Sequence, residues 1–248
     1  MSDHGSRLPG ADTLVFVPAW NEEENLPAVL DDLRAVLPDA DVLVVDDGST
    51  DGTAAVAREG GAKVLSFSAN RGLPAAIGAG YAYAEQNGYA FCGRVDADGQ
   101  HPAAELARLL ALVRGGSCDV AVGSRFVSGE GYEPYRYRPS PARRLGTAVL
   151  RRAMALVLRR PFGDATSGLW AVNATALPVL ARPFTTAAPE VEALIRLADA
   201  GLRVEEVPVN MAARAGGVSK LRGGKAVRVV LTVTGALVLA KVLSARRR

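Results

Sequence analysis

Tyr89-Ala90-Phe91-Cys92-Gly93-Arg94-Val95-Asp96-Ala97-Asp98-Gly99-Gln100-His101-Pro102 opens as an apolar run and closes as a polar loop. The run reads as a buried strand ending near Val95, and its last residues deliver two carboxylates, one residue apart, into the loop that follows. Alternate residues of an extended strand point to opposite sides, so Asp96 and Asp98 are expected on one side, with a kink at Gly99 bringing Gln100 in behind them. Such oxygen ligands suit a hard divalent cation, Mg²⁺ or Mn²⁺, that keeps open positions for substrate phosphates. An Asp-x-Asp pair is also common in loops that are merely solvated, so its surroundings decide.

Outward from this stretch the same pattern repeats. Residues 14–17 form a short apolar run closed by Pro18, and Asn21 is expected to cap a following helix, with Glu22, Glu23 and Glu24 in its first turn. A second run, 42–45, ends in Asp46-Asp47-Gly48-Ser49-Thr50-Asp51-Gly52-Thr53, and a third, 64–67, precedes a helix expected over 70–88. Beyond the central stretch come a helix over 102–113 and a strand over 120–122. Strands alternating with helices imply a mostly parallel, Rossmann-like α/β sheet with helices on both faces. Ligands of such sheets bind beyond the carboxyl ends of the strands. Residues 18–22, 46–50, 96–100 and Ser124-Arg125 all lie at those ends and converge on one crevice.

The content of the crevice narrows its chemistry. After the first strand stands Pro-Ala-Trp-Asn-Glu-Glu-Glu, where a dinucleotide-binding domain carries Gly-x-Gly-x-x-Gly, and no Gly-x-x-x-x-Gly-Lys-Ser/Thr occurs. Phosphates in so acidic a site are held through a metal, helped by Arg and Lys. Asp46 or Asp47 can accept hydrogen bonds from a base or ribose, and Trp20 offers a flat face for stacking.

The chain has 248 residues, 49% of them hydrophobic, enough for one large core. We expect a loose tail over 1–11, a main domain over 12–222 and a C-terminal helix over 223–248. Net charge is only +3, but residues 134–163 contain eight Arg and no Asp or Glu. At 100° per residue, Leu145, Val149, Leu150, Leu156 and Val157 fall on one side and most of the arginines opposite, a basic amphipathic helix suited to an anionic membrane surface. Residues 229–240 are twelve uncharged positions, short of the ~20 that span a bilayer, so the tail reads as a helix lying on the membrane or packed on a small membrane-protein partner. Cys92 and Cys118 lack metal-ligand spacing and suit a reducing compartment. The first dozen residues lack the apolar segment of a signal peptide, which leads to the expectation of a cytoplasmic protein, peripheral on the inner membrane face.

Taken in order, Pro18-Ala19-Trp20-Asn21-Glu22, Val45-Asp46-Asp47-Gly48-Ser49-Thr50-Asp51-Gly52-Thr53, Asn70-Arg71-Gly72-Leu73, Asp96-Ala97-Asp98-Gly99-Gln100-His101-Pro102 and Gly123-Ser124-Arg125-Phe126 resemble a family 2 glycosyltransferase with the GT-A fold. Asp164-Ala165-Thr166-Ser167-Gly168-Leu169-Trp170 and Arg214-Ala215-Gly216-Gly217-Val218-Ser219-Lys220-Leu221 resemble later motifs of its dolichol-phosphate mannose synthase branch and the bacterial polyprenyl-phosphate relatives. The resemblance implies a nucleotide-diphosphate sugar as donor. Pro18, Trp20, Glu22, Val45 and Asp47 match nucleoside-holding positions, Asp96 and Ala97 the diphosphate site, and Asp96, Asp98 and Gln100 the metal. Arg125, Arg214 and Lys220 match basic residues that close over the phosphates. Trp20 replaces a commoner Tyr. Trp170 stands where Phe-Arg usually follows the glycine, so one expected positive charge is missing.

The function expected from this is inverting transfer of a sugar from the nucleotide donor to a polyprenyl phosphate, with Asp98, Arg214 and Lys220 meeting the charge on the departing diphosphate. A hydroxyl acceptor, on a cell-surface glycan or small molecule, would need a general base; Asp164 is the first candidate and Glu190 the second. His101, following the acidic loop, is expected to cap or orient it. A nucleotidyltransferase is the alternative of another class, opposed by the Glu-rich first loop. Nucleic-acid binding is disfavoured because aromatic residues are sparse among the arginines.

Overall fold

The computed structural model describes residues 11–129, 132, 152, 155 and 162–212. Its strands are β1 (Thr13–Ala19), β2 (Asp41–Asp46), β3 (Lys63–Ser66), β4 (Phe91–Arg94), β5 (Val120–Ser124), β6 (Trp170–Asn173) and β7 (Val204–Pro208). Its helices are α1 (Leu26–Val36), α2 (Thr53–Glu59), α3 (Leu73–Gln86), α4 (Ala103–Arg114), α5 (Leu177–Leu180) and α6 (Pro189–Asp199). Among the described residues the seven strands form one sheet in the order β3-β2-β1-β4-β6-β5-β7. All pairings are parallel except those of β6, which runs antiparallel to β4 and β5.

β1 lies in the middle of the parallel half and is buried at every position, which is why its sequence is an unbroken apolar run. Its alternate side chains feed two cores: Leu14 and Phe16 pack with α3, α5 and α6, while Val15, Val17 and Ala19 pack with α1, α2 and α4. On α1, Leu26, Val29, Leu30 and Leu33 recur at helical spacing and are all buried. Each such side chain contributes roughly 1.5–3 kcal/mol.

The topology determines which segments meet. The chain moves from β1 to β2 to β3 on one side and returns to place β4 on the other side of β1, so the order reverses between β1 and β4. Ligand crevices of α/β sheets open at such reversals. Because β6 is antiparallel, its beginning lies at the same sheet edge as the ends of β4 and β5, and residues 164–169 enter the crevice from that side. β7 is parallel to β5, so residues 209–212 emerge there too.

Several local expectations are corrected. Asn21 does not cap a helix: it has a left-handed φ of 52°, and α1 begins at Leu26 with no acidic residue in its first turn. The backbone of 21–23 is bonded instead to the loop after β2. α3 begins at Leu73 rather than at residue 70, because Gly72 takes a φ of 90° that stops the helix, and the Asp47 carboxylate captures the N–H groups before it. β4 ends at Arg94 and Ala97-Asp98 is a turn, so Asp96 and Asp98 lie beyond the strand and are not set side by side by strand alternation. β6 was absent from the alternating pattern. Among the described residues no helix is long and apolar enough to cross a membrane. Residues 1–10, nearly all of the basic stretch and the segment 223–248 expected to form a C-terminal helix lie outside the described residues.

Two glycines of α3 test the packing. A methyl group at Gly78 would make ordinary contact with Phe184 Cδ2 at 3.6 Å, whereas one at Gly80 would overlap the Phe16 ring. Gly78→Ala is therefore expected to stabilise the protein by about 0.4–1 kcal/mol through the helix backbone, and Gly80→Ala to destabilise it by about 1–3 kcal/mol. Urea unfolding of the two variants beside the parent chain checks the opposite signs.

Candidate active site

The crevice begins with two loops locked together. Beyond β1, Asn21 N donates to Ser49 Oγ at 3.0 Å, and Asn21 Oδ1 accepts from Thr50 N at 2.9 Å. Glu22 N donates to Thr53 Oγ1 at 2.9 Å, and Gly52 N donates to Glu23 Oε2 at 2.6 Å. The polar side chains thus serve the backbone of the neighbouring loop. Pro18 and Val45 face each other in the β1–β2 register, both buried, while Trp20 is 39% exposed at the rim. Asp47 is buried, and its two carboxylate oxygens accept from Arg71 N at 2.7 Å and Gly72 N at 2.8 Å. The third loop is thereby held against the second.

The centre is built around Asp96. Arg94 ends β4 almost completely buried, and its guanidinium donates to Glu190 Oε1 at 2.8 Å and to Asp96 Oδ1 at 3.3 Å. Burial works against a charged guanidinium, but the two carboxylates outweigh it and hold Arg94 more firmly protonated than usual. Burial would likewise raise the Asp96 pKa, yet Arg94, with His101 and Arg125, brings it below the ordinary value. Asp96 N donates to His101 Nδ1 at 3.0 Å, so that nitrogen carries no proton. Burial pushes His101 down from the usual histidine value even though Asp96 and Asp98 pull it up. On the remaining side Gly168 lies so close that a Cβ there would overlap the Asp96 carboxylate.

Asp98 sits in the turn, where its Oδ1 accepts from Gln100 N at 3.1 Å. The Gln100 carbonyl accepts from Ala212 N at 3.0 Å, and Asn210 N donates to Glu105 Oε1 at 3.1 Å. The segment after β7 is therefore fastened to the acidic turn. Arg125, just past β5, makes a forked pair with Asp164, Nε to Oδ2 at 2.7 Å and Nη2 to Oδ1 at 2.8 Å, and the Asp164 side chain is wholly buried. Such two-point pairing orients a guanidinium as well as holding it. Glu206 of β7 accepts from Asp164 N at 2.6 Å and from Gly163 N, which positions the segment leading into β6.

The structure thus brings Asp96, Asp98, Gln100, Arg125 and Asp164 to the ends of adjacent strands, with Pro18, Trp20, Glu22, Val45 and Asp47 at the neighbouring ends. The Ala97 side chain is buried in the core under the turn. Arg214 and Lys220 lie outside the described residues. Among the described residues no three His, Cys, Asp or Glu side chains converge as a complete metal cage. Two carboxylates and an amide suit Mg²⁺ or Mn²⁺, which bind through one or two protein carboxylates and complete their shell with phosphate and water.

Sequence reasoning passed over Arg94, Gly168 and Glu206. A charged residue inside a buried strand is a signal in itself, since arginine is almost never fully buried without a partner. Trp170 is buried and donates to Ser167 O at 2.7 Å; in the β4–β6 register it stands opposite Arg94.

A mostly parallel sheet of this order, with an acidic turn where it reverses and an antiparallel strand bringing a further motif to the same edge, is a GT-A glycosyltransferase fold. Residues 14–178 match the family described as Glycosyl transferase family 2, and the chain belongs to that family. It is 32% identical to the polyprenol monophosphomannose synthase of Mycolicibacterium smegmatis, over 89% of this chain and 85% of that one. It is 33% identical to the undecaprenyl-phosphate mannosyltransferase of Micrococcus luteus, over 89% and 92%. Among solved structures it resembles glucosyl-3-phosphoglycerate synthase from Mycobacterium tuberculosis, in complex with Mn²⁺, uridine-diphosphate-glucose and phosphoglyceric acid. The TM-score is 0.65 at 22% identity, covering 92% of this chain and 80% of that one, a likeness of fold.

Gly168→Ala isolates the contact with Asp96. The methyl group displaces the carboxylate, and an ångström-scale misplacement of a reacting array costs about 10²-fold in rate. We expect a loss of sugar transfer of that size from a chain whose circular dichroism spectrum is unchanged.

Proposed function

We propose that the chain transfers a sugar from a nucleotide-diphosphate sugar to a polyprenyl phosphate, with inversion at the anomeric carbon, working peripherally on the cytoplasmic face of the membrane. The observation that carries the acceptor class is the state of the two carboxylates that could act as a base. Asp164 is taken up by Arg125 and Glu190 by Arg94. A hydroxyl acceptor needs a base, whereas a phosphate monoester has its second pKa near ~6 and is largely a dianion at neutral pH. The names of the two relatives, which specify polyprenol and undecaprenyl phosphate chemistry, support the same acceptor.

In the step itself a phosphate oxygen of the acceptor forms a bond to the anomeric carbon from the face opposite the diphosphate. The bond from that carbon to the diphosphate breaks, and its electron pair leaves with the nucleotide. No proton has to be removed. Pro18, Trp20, Glu22, Val45 and Asp47 hold the nucleoside, with Trp20 stacking at the rim. Asp96, Asp98 and Gln100 would hold Mg²⁺ or Mn²⁺, which when bound neutralises charge on the diphosphate as a Lewis acid. Manganese and a uridine-diphosphate sugar in the neighbouring structure support this assignment. Arg125, oriented by Asp164, lies against the phosphates. Arg214 and Lys220, matched to the family's basic motif, share the phosphate charge.

The arginines of 134–163 would hold the chain at anionic lipid, each contributing about 1 kcal/mol near the surface, so that half of the eight give roughly 4 kcal/mol and a reversible attachment. The apolar stretch at 229–240 would lie on the same surface or on a small membrane-protein partner.

The test is transfer of labelled sugar from a panel of nucleotide sugars into an organic-extractable product, with added polyprenyl phosphate, Mg²⁺ or Mn²⁺, and an EDTA control. A metal-dependent, lipid-soluble product is expected. Donor consumption with all label left aqueous would overturn the lipid acceptor. In the same assay Asp98→Ala is expected to lower turnover by about 10²–10³-fold, roughly 3–4 kcal/mol of transition-state stabilisation; near-normal turnover would remove Asp98 from the mechanism.

A further inference from the structure

Glu190 opens α6, remote in sequence from the acidic turn, yet its carboxylate is only 12% exposed and is directed at the buried guanidinium of Arg94. The same guanidinium nitrogen reaches Asp96. The three groups form a row, carboxylate, guanidinium, carboxylate, in which one positive charge is shared between two negative ones. Arg94 Nε has no hydrogen-bond partner among the described residues, so its end group alone holds the side chain in place. The Asp96 carboxylate fills the space beside Gly168, and the His101 ring accepts from the Asp96 backbone N–H.

We propose that Glu190 and Arg94 are a positioning pair for Asp96: Arg94 fixes the direction of its carboxylate, and Glu190 draws off part of the guanidinium charge so that Asp96 still attracts a divalent cation. The inference rests on the metal reading proposed above. It gives Glu190 a role different from that of a base acting on the acceptor.

The electrostatics follow from the charge count. With Glu190 present, the row carries a net charge of −1 and the cation is attracted to it. With Glu190 neutral, Arg94 cancels Asp96, and the cation meets a site of zero net charge apart from Asp98. Because the pair is buried, that change acts through protein rather than water and is poorly screened. Removal of Glu190 by Gln, which keeps shape and can still accept from Arg94, therefore lowers cation affinity without moving a group that touches the reacting atoms.

The experiment measures binding of Mn²⁺ alone to the full chain, from the electron paramagnetic resonance signal of the unbound ion, and separately kcat at saturating Mn²⁺. For Glu190→Gln we expect a rise of about tenfold in the Mn²⁺ Kd, with kcat kept within about threefold. An unchanged Kd overturns the proposal, and an unchanged Kd with a hundredfold loss of kcat assigns Glu190 to base catalysis instead. Glu190→Asp, which retains the charge, is expected to keep both Kd and kcat within about threefold, and it decides the matter if the Gln variant does not fold: a hundredfold fall in kcat at unchanged Kd again points to a base. Asp98→Ala is measured alongside. If it too binds Mn²⁺ as the parent chain does, the metal reading itself fails, and the positioning pair falls with it for that separate reason.

Discussion

Asp96 is held by an arginine that should not be where it is. A guanidinium buried at the end of an apolar strand is tolerable only when its charge is matched, and Arg94 is matched on one side by Glu190 and on the other by Asp96. Glu190 needs α6 to be in place, α6 needs the core shared with α3 and α5, and Gly168 needs the antiparallel β6. The carboxylate is thus tied to three separate parts of the tertiary structure, and its geometry is a property of the folded chain as a whole.

Preorganisation runs through the rest of the crevice by the same means. Asp47, Asp51, Asp164 and Glu206 each use their oxygens to hold backbone N–H groups or a guanidinium of another loop. Hydrogen bonds to a charged partner are worth about 1.5–3 kcal/mol, more than ordinary ones, and burial makes them costly to break. Loops built this way are set before any ligand arrives, which reduces the ordering cost of binding. The acidic residues therefore carry two tasks, holding the site and, as proposed, meeting the metal and nucleotide, and Asp47 is assigned both.

The sequence carried much of this in plain view. The apolar runs closed by Pro18, Asp46 and Asp96 mark strands by composition alone, and their alternation with helices implies a parallel sheet whose strand ends meet. Family membership follows from the same motifs. What misled was local reasoning where a distant loop competes for the same groups. Asn21 looks like a helix cap, but Ser49 and Thr50 claim it first; residues 70–72 look like the start of a helix, but Asp47 binds the N–H groups of Arg71 and Gly72. Asp164 looks like an available base until Arg125 is seen across from it.

By itself the sequence determined the class of sheet and the position of the strand ends, because periodicity and residue type act over a few neighbouring positions. The partner of each side chain was decided only in three dimensions. The reversed direction of β6, the space kept by Gly168 for Asp96 and the Arg94 bridge to Glu190 join residues 72 to 96 positions apart. No local pattern encodes such pairings, since they depend on which strand is inserted beside β4 and on where α6 then comes to rest.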